Sequence, residues 1–326
     1  MKTQSPVNPN ATKNAKELLS YLYGIAGKAI ITGQHTQTVP MEEITYIKEV
    51  TGQVPKLRGF ELLAYSPNIN YQDASEECLK EVEENKNTLQ TAFDWAQHSN
   101  GILTFSFHWF SPIGGRDKSF YAKNTDFDAR KILEEGSKER DAFFSDMDKI
   151  ANLLKPFKEA DIPVLWRPFH ESDGDWFWWG AKGPEVAKEL YKLMFDRYVN
   201  FHHLDNLLWV WNCRLKEGWP GDEFTDVISV DIYRPSYSAT DYKEEYDALK
   251  SDLGRYMEDA CKSGGYDLLA IMLTNPNGSG SYVLSAGARK RMMDSAFKID
   301  KSGFVNGLVS RKKQLLPGLI AAFGAK

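Results

Sequence analysis

The sequence predicts an α/β fold in which eight parallel strands close into a (β/α)8 barrel. Three observations lead to this prediction. Short apolar runs alternate with longer amphipathic segments, which is typical of repeated βα units and a parallel sheet. Seven well-formed runs and a weak eighth in a chain of 326 residues favour a barrel, which commonly needs about 250 residues or more. No Gly-rich dinucleotide fingerprint follows the first run, which counts against a doubly wound sheet.

The apolar runs have the length of buried strands, six to eight residues. Seven are well formed, at 28–33, 54–60, 101–107, 162–169, 206–211, 226–232 and 267–273, and an eighth, weaker run lies at 303–309. Between them, helical spacing of apolar residues predicts helices within 76–98, 137–160, 184–200 and 241–262. The last strand and its helix are therefore the least defined part of the predicted barrel.

Composition excludes several classes of protein and partner. A chain with 42% hydrophobic and 26% charged residues folds as a globular protein rather than a disordered or disulfide-stapled one. A net charge of -5 gives no basic field for nucleic acid or an anionic membrane. No run approaches the ~20 apolar residues that span a bilayer, and Met1 to Asn10 have no apolar stretch of a signal peptide. We expect no metal and no cofactor; the oligomeric state is left open.

Side chains suited to chemistry follow four successive predicted strands. Because a barrel builds its site at the carboxyl ends of its strands, we expect them to meet at one rim. They are His108 and Trp109 after the third strand, His170 and Glu171 after the fourth, Trp211, Asn212 and Cys213 after the fifth, and Asp231 and Tyr233 after the sixth.

The fourth strand and the loop after it are the strongest candidate site. Arg167, Phe169 and Glu171 alternate along the strand, so an extended backbone points all three the same way and Arg167 can hold Glu171 by charge and hydrogen bond. The following loop, SDGDWFWWG, holds Trp176, Trp178 and Trp179, and indoles suit stacking on sugar rings. This combination favours a functional Glu171 over a structural one.

The segment VLWRPFHESDGDWFWWG, residues 164–180, resembles the acid/base signature of glycoside hydrolase family 26, the endo-β-1,4-mannanases and related β-glycanases built on a TIM barrel. Further similar segments follow the family's order, and the resemblance covers about residues 28–273. They are ITGQHT at 31–36, VPKLRGFELLAYSP at 54–67, LTFSFHW at 103–109, NLLWVWN at 206–212 and GDEFTDVISVDIY at 221–233.

The resemblance implies an endo-acting, retaining hydrolase of β-1,4-mannosidic bonds in mannan, glucomannan or galactomannan, with Glu171 as general acid/base. It implies a β-mannan polysaccharide or oligosaccharide as partner and, from that substrate, a secreted, periplasmic or cell-surface protein. The substrate-binding residues it implies are His108, His170, Trp176, Trp211, Asp231 and Tyr233, with Asp226 in support. To these we add Trp109 as a substrate-binding residue, because it stands at the same strand end as His108, and Arg167 as a supporting one.

Retaining hydrolysis needs two carboxylates about 5 to 5.5 Å apart, one to donate a proton to the leaving oxygen and one to attack the anomeric carbon. We expect Phe169, Trp176 and Trp178 to provide an apolar surround that keeps the acid protonated. Trp176 would stack on a pyranose ring, and Tyr233 would donate a hydrogen bond to the attacking carboxylate.

The second carboxylate does not stand where the resemblance implies it. The family's nucleophile is a Glu at the end of the seventh strand, whereas that strand here is followed by Asn275, and an amide cannot form the glycosyl ester. Two alternatives therefore remain open: a catalytically impaired glycan-binding homologue, or a β-1,3-xylanase or mixed-linkage glucanase of the same family.

The last 41 residues differ from the rest of the chain. Residues 286–326 carry a net charge of +7 and no Trp, whereas the remainder carries -12. We therefore expect a catalytic barrel at 1–285 and an atypical basic segment at 286–326 of different origin, which either completes the barrel or leaves it open between the seventh and first strands. Open strand edges invite aggregation.

Overall fold

A computed structural model describes residues 5–25, 30–39, 41–51, 53–117, 119–213, 215–229, 231, 270–274 and 280–284. Its helices and strands alternate along the chain for most of that length. In chain order they are α1 (Lys13–Ile25), β1 (Ile30–Thr36), α2 (Glu42–Thr51), β2 (Leu57–Glu61), α3 (Glu76–Glu84), α4 (Thr88–His98), β3 (Ile102–Ser106), α5 (Lys138–Glu159), β4 (Val164–Arg167), α6 (Pro184–Asp196), β5 (Leu207–Asn212), β6 (Val227–Ser229), β7 (Ala270–Thr274) and β8 (Gly280–Leu284).

One eight-stranded sheet joins all the strands in the order β6-β5-β4-β3-β2-β1-β7-β8. Strands β1 to β7 pair in parallel, and β1 to β6 follow one another as in a barrel. Each of the seven strong apolar runs contains or overlaps one of these strands, so the predicted parallel α/β architecture is confirmed. Of the two alternatives for the last strands, an open edge between the seventh and first is not what the described residues show, because Ile30 to Gln34 pair with Ala270 to Thr274.

Two elements differ from the sequence prediction, and two other predicted elements lie outside the described residues. The eighth strand of the sheet is β8, which runs antiparallel to β7, while the weak run at 303–309 lies outside the described residues. The predicted helix at 241–262 also lies outside them. The predicted helix within 76–98 is two helices, since Asn87 has a left-handed backbone, φ 65°, immediately before α4. The spacing of apolar residues does not indicate where a single residue with a left-handed backbone interrupts a helix.

Strand side chains divide between two apolar clusters, as the pleat requires. The inner cluster joins α1, through Leu18, Leu19 and Leu22, to apolar side chains of each strand from β1 to β6. Its strand members are Ile31, Leu57, Ile102, Leu165, Leu208, Val210 and Val227, most of them at the first or second position of their strands. Helix α1 therefore closes the amino-terminal end of the strands, and the opposite end is left for the site.

The outer cluster lies between the strands and helices α3 to α6 and contains most of the aromatic residues. Trp166 and Trp209 belong to it and are fully buried. No helix within the described ranges is long and apolar enough to cross a membrane.

Candidate active site

The backbone bends sharply after β4, and this bend sets the direction of the predicted site residues. Strand β4 ends at Arg167, and both Phe169 and Glu171 have left-handed backbones, with φ of 51° and 55°. Such angles are uncommon for residues with a side chain and require support from the surroundings. The strict alternation expected for residues 167 to 171 therefore stops at Arg167. Phe169 turns into the core, and Glu171 is half-buried.

Glu171 is held at both its backbone and its carboxylate. Its N–H donates to Oδ1 of Asn212, the last residue of β5, and its carbonyl accepts the N–H of Gly174 at 3.0 Å. The indole N–H of Trp176 donates to Oε2 of Glu171 at 2.9 Å. Trp176 is 41% exposed, so its ring is available to a ligand beside the carboxylate. This is the acid-and-indole arrangement that the sequence predicts.

The three tryptophans of the loop have different environments. Trp178 and Trp179 are buried, and their indole N–H groups donate to the carbonyls of Trp109 and His170, respectively. Two indoles thus attach the loop to the ends of β3 and β4, while Trp176 remains outside. Trp178 was expected to line the acid, but its burial places it in the core instead.

His108, His170 and Glu61 form a hydrogen-bonded group at the same end of the sheet. Glu61 Oε2 lies 2.8 Å from His108 Nδ1, and His108 Nε2 lies 3.2 Å from His170 Nε2. The backbone N–H of His108 also donates to Glu61 Oε1 at 2.7 Å. Both predicted histidines are therefore brought together, and Glu61 is a functional candidate that the sequence analysis missed.

Glu61 could have been found by the rule that identified the others. It is the last residue of β2, just as the predicted residues follow β3 to β6, but it sits in an apolar segment, GFELLAY, that reads as core. A fully buried carboxylate needs partners, and Ser106 supplies a further donor at 2.6 Å. The position at a strand end is thus a better signal than the polarity of the flanking residues.

The electrostatics of this group keep Glu61 ionised. Burial alone raises the pKa of Glu61, but the charge and hydrogen bonds of His108 and the hydroxyl of Ser106 outweigh it and bring the pKa to about 2. Burial lowers the pKa of His35, whose Nε2 lies 3.2 Å from the Ser106 hydroxyl, to about 4. His35 is therefore neutral near pH 7.

Arg167 and Asp231 form a buried ion pair across the sheet. Arg167 Nη1 donates to both carboxylate oxygens of Asp231, at 2.7 and 2.8 Å, and both side chains are almost fully buried. Arg167 was expected to support Glu171, and the contact described for its guanidinium is this pair with Asp231. Asp231 was expected to bind substrate, and the contact described for its carboxylate is this ion pair.

Trp109 and Trp211 were also expected to bind substrate, and the structure corrects both placements. Trp109 is 1% exposed, stacks between Phe107 and Phe143, and donates its indole N–H to Asp146 at 3.1 Å. Trp211 is fully buried against Tyr191 of α6. Trp211 has the same strand parity as Trp209, so the pleat directs both toward the helices.

Asp226 supports the structure from below the site. It accepts the backbone N–H groups of Val7 and Trp209, each at 2.8 Å, and so ties the amino-terminal segment to β5. Burial raises its pKa to about 7, against the lowering effect of these two hydrogen bonds. Tyr233 and Asn275 lie outside the described residues.

Within the described ranges, no group of three or more His, Cys, Asp or Glu side chains is arranged to hold a metal ion.

A parallel α/β sheet with an acid and an exposed indole at the carboxyl ends of its strands has the layout of a glycoside hydrolase barrel, whose active site lies at that face. The model of glycosyl hydrolase family 26 matches residues 7–258. The chain therefore belongs to this family, and the family's (β/α)8 barrel confirms the predicted fold class.

Several proteins that are similar to this chain are named as mannanases. A mannan endo-1,4-β-mannosidase of Thermothelomyces thermophilus is 38% identical over 234 residues, covering 69% of this chain and 45% of that protein. The match to the structure of a β-(1,4)-mannanase from Podospora anserina covers 78% of this chain and 55% of the Podospora chain, at 36% identity and a TM-score of 0.65. A third similar protein is a β-mannanase from a symbiotic protist of the termite Reticulitermes speratus, whose structure is complexed with gluco-manno-oligosaccharide. The match covers 78% of this chain and 79% of the protist chain, at 29% identity and a TM-score of 0.66. The chain spans less than half the length of the Thermothelomyces relative.

A second family matches the end of the chain. The model of the DHHA2 domain matches residues 235–322, and it overlaps the first match over 235–258. In addition, 82 residues are 35% identical to a manganese-dependent inorganic pyrophosphatase of Methanocaldococcus jannaschii, covering 24% of this chain and 26% of that protein. Asn275 thus lies beyond the family 26 match and within the DHHA2 match.

Proposed function

We propose that the rim at the carboxyl ends of the strands is a mannan endo-1,4-β-mannosidase site with Glu171 as general acid/base. The observation that carries the proposal is the hydrogen bond from Trp176 Nε1 to Glu171 Oε2, which places an acid beside an exposed indole. The named mannanase relatives support β-1,4-mannan as substrate.

In the proposed reaction the Glu171 carboxyl donates its proton to the glycosidic oxygen as the bond to the anomeric carbon breaks. Across the whole reaction, the oxygen of a water molecule takes the place of the leaving oxygen at the anomeric carbon, and Glu171 recovers its proton from that water. Trp176 serves two purposes: its N–H orients the carboxyl, and its face packs on the adjacent pyranose ring. Asn212 orients the backbone of Glu171, so the left-handed bend is fixed before substrate arrives.

The nucleophile is the open part of this site. Glu61 and Asp231 are the buried carboxylates described at the strand ends. Glu61 accepts hydrogen bonds from His108 and Ser106, and Asp231 forms an ion pair with Arg167. We infer that Asn275 is not a substituted nucleophile, because the DHHA2 match that contains it supports a different ancestry. The same matches support a change of family within residues 235–258 rather than at 285.

The test is product formation from mannohexaose by the wild type, Glu171→Gln and Asp175→Asn. Asp175 is an exposed carboxylate of the same loop and is the matched control. Shorter oligomers from the wild type and Asp175→Asn, with little from Glu171→Gln, support the assignment. Full activity of Glu171→Gln would refute it. The anomer first released, followed by proton NMR, tests retention.

A panel of mannan, glucomannan, galactomannan, lichenan and xylan separates the mannanase from a mixed-linkage glucanase or β-1,3-xylanase. Release of reducing ends only from a polymer without mannose would overturn the substrate assignment. Asn275→Glu is expected to leave every product unchanged, because the position does not correspond to the family 26 nucleophile. New activity in that variant would contradict the inferred ancestry.

A second candidate function is glycan binding without cleavage. It is favoured by one observation: the family 26 match ends at residue 258, before the strand that is expected to carry the nucleophile. In this case the wild type is retarded in a native gel that contains galactomannan, Trp176→Ala is not, and mannohexaose stays intact. Either function acts on a polysaccharide, which supports a location outside the cytoplasm.

A further inference from the structure

Glu61 is a buried carboxylate at the end of β2 that the proposed reaction does not use. Its oxygens accept four hydrogen bonds, from Leu63 N at 2.9 Å, His108 N at 2.7 Å, His108 Nδ1 at 2.8 Å and Ser106 Oγ at 2.6 Å. With every contact on the accepting side, the carboxylate is fixed in orientation and cannot reach a substrate. It acts through its neighbours.

The charge of Glu61 determines which atoms of His108 and His170 donate and which accept. An ionised carboxylate can only accept, so His108 Nδ1 must carry a proton. The contact of 3.2 Å between His108 Nε2 and His170 Nε2 then requires a proton on one of these two atoms. His170 Nδ1 is buried and has no hydrogen-bond partner among the described residues.

The charges around His108 decide which ring donates. The groups that act on it are Glu61 from β2, Glu81 from α3, Glu171 after β4, His35 from β1 and His170 itself. Burial lowers the pKa of His108, but the charge and hydrogen bond of Glu61, with Glu81 and Glu171, outweigh it and raise the pKa above its ordinary value.

His170 responds in the opposite direction. Burial, followed by the positive charges of His108 and Arg167, holds the pKa of His170 well below its ordinary value. A charged His108 therefore donates from Nε2, and a neutral His170 accepts at Nε2. The remaining proton of the His170 ring is then on Nδ1.

We propose that Glu61 is a positioning residue that fixes His108 as the donor to His170 and thereby presents His170 as a neutral ring with its proton on Nδ1. The chain of contacts from Glu61 Oε2 through His108 to His170 carries this inference. His170 directly precedes Glu171, so the fixed N–H group belongs to the proposed site. The significance for catalysis rests on the proposed function, whereas the protonation pattern does not.

The experiment is NMR of the full chain with ¹⁵N-labelled histidine. The chain has six histidines, and single His→Gln variants assign the two rings. At pH 6 the wild type is expected to show His108 protonated at both nitrogens and His170 protonated at Nδ1 alone. As the pH rises past the pKa of His108, the His170 proton should move to Nε2, because His108 then accepts.

Glu61→Gln keeps the size of the side chain and an accepting oxygen but removes its charge. The pKa of His108 is expected to fall by about one pH unit or more. At pH 6 a larger fraction of His170 then carries its proton on Nε2. Glu81→Gln is the matched control: Glu81 acts on His108 by charge without a hydrogen bond to it, so it should lower the pKa of His108 less.

Two results would overturn the proposal: His170 protonated at Nε2, or charged, in the wild type at pH 6, or Glu61→Gln with both rings unchanged. If circular dichroism shows that Glu61→Gln is unfolded, the wild-type titration decides alone. Where the wild type cleaves mannohexaose, Glu61→Gln should also move the alkaline decline of turnover to lower pH. Absence of cleavage would count against the proposed function and leave the NMR result standing by itself.

Discussion

The indole N–H of Trp176 donates to Oε2 of Glu171 across 2.9 Å, from a ring that is 41% exposed. The contact joins a residue that can stack on a sugar to a carboxyl that can transfer a proton. The contact lies beside a short turn, in which the N–H of Gly174 donates to the carbonyl of Glu171. Substrate affinity and acid orientation are therefore coupled through one side chain.

Trp176→Phe separates these two roles, because the ring remains and the donor is lost. Hydrogen bonds to charged groups contribute about 1.5–3 kcal/mol, so turnover of mannohexaose should fall about tenfold or more while its dissociation constant changes little. Trp176→Ala should weaken binding as well. The measurements are steady-state kinetics and calorimetric titration. Equal affinity in Trp176→Ala and the wild type would contradict a stacking role.

Asp226 is expected to make folding stability depend on pH. Its pKa in the folded protein is about 7, above the ordinary 3.8, so its contribution is fully present below about pH 4 and is lost as the pH rises toward 7. The loss is as much as about 4 kcal/mol. Urea unfolding at pH 5 and pH 7.5 should show the part of this decline that lies above pH 5, about 3 kcal/mol in the wild type. The decline should be smaller in Asp226→Asn. Parallel pH dependences of the two proteins would contradict it.

The ion pair of Arg167 and Asp231 should be costly to break from one side. Removal of one member of a buried pair typically costs about 3–5 kcal/mol, because the other charge stays buried. Asp231→Asn should therefore destabilise the protein strongly, and Arg167→Met with Asp231→Leu should restore part of the loss. Denaturant unfolding measures both. Lys13→Ala, which removes an exposed pair with Glu17 at 3.7 Å, serves as control and should have little effect.

Trp109→Phe tests a buried donor in the outer cluster. The substitution removes the indole N–H that donates to Asp146, a carboxyl whose pKa burial already raises to about 6. We expect a loss of about 1–3 kcal/mol and a further rise of this pKa. Trp166→Phe is matched, since its indole N–H meets only the Met194 thioether at 3.4 Å among the contacts resolved here. Equal losses in the two variants would show that ring volume, not the hydrogen bond, decides stability.

The sequence predicted the seven parallel strands because a buried parallel strand is a short apolar run whatever its neighbours. It also placed Glu171, Trp176, His108 and His170 together, since strand ends meet at one rim. It misplaced Trp109 and Trp211, although the shared parity of Trp209 and Trp211 already indicated one face.

Other features could not be read from residue spacing. The left-handed backbones of Phe169 and Glu171 arise from contacts with Asn212 and the core, which are distant in sequence. The relation of Glu61 to His108 spans 47 positions and depends on the register of β2 with β3. Whether Asn275 corresponds to the family 26 nucleophile depends on the ancestry of the last part of the chain. The change of net charge there indicates a segment of different origin but does not identify the family it comes from.

Helix α1 precedes every described strand in the sequence, yet the apolar cluster to which it belongs is complete only when Val227 has been made. About two hundred residues separate the two, which at about 5–20 residues per second is some 10–40 s of synthesis. Throughout that time the cluster around Leu18, Leu19 and Leu22 is incomplete, and part of its apolar surface stays exposed. The yield of folded chain in a cell is thus expected to depend on chaperone supply, and more so than its refolding from a dilute, full-length denatured state.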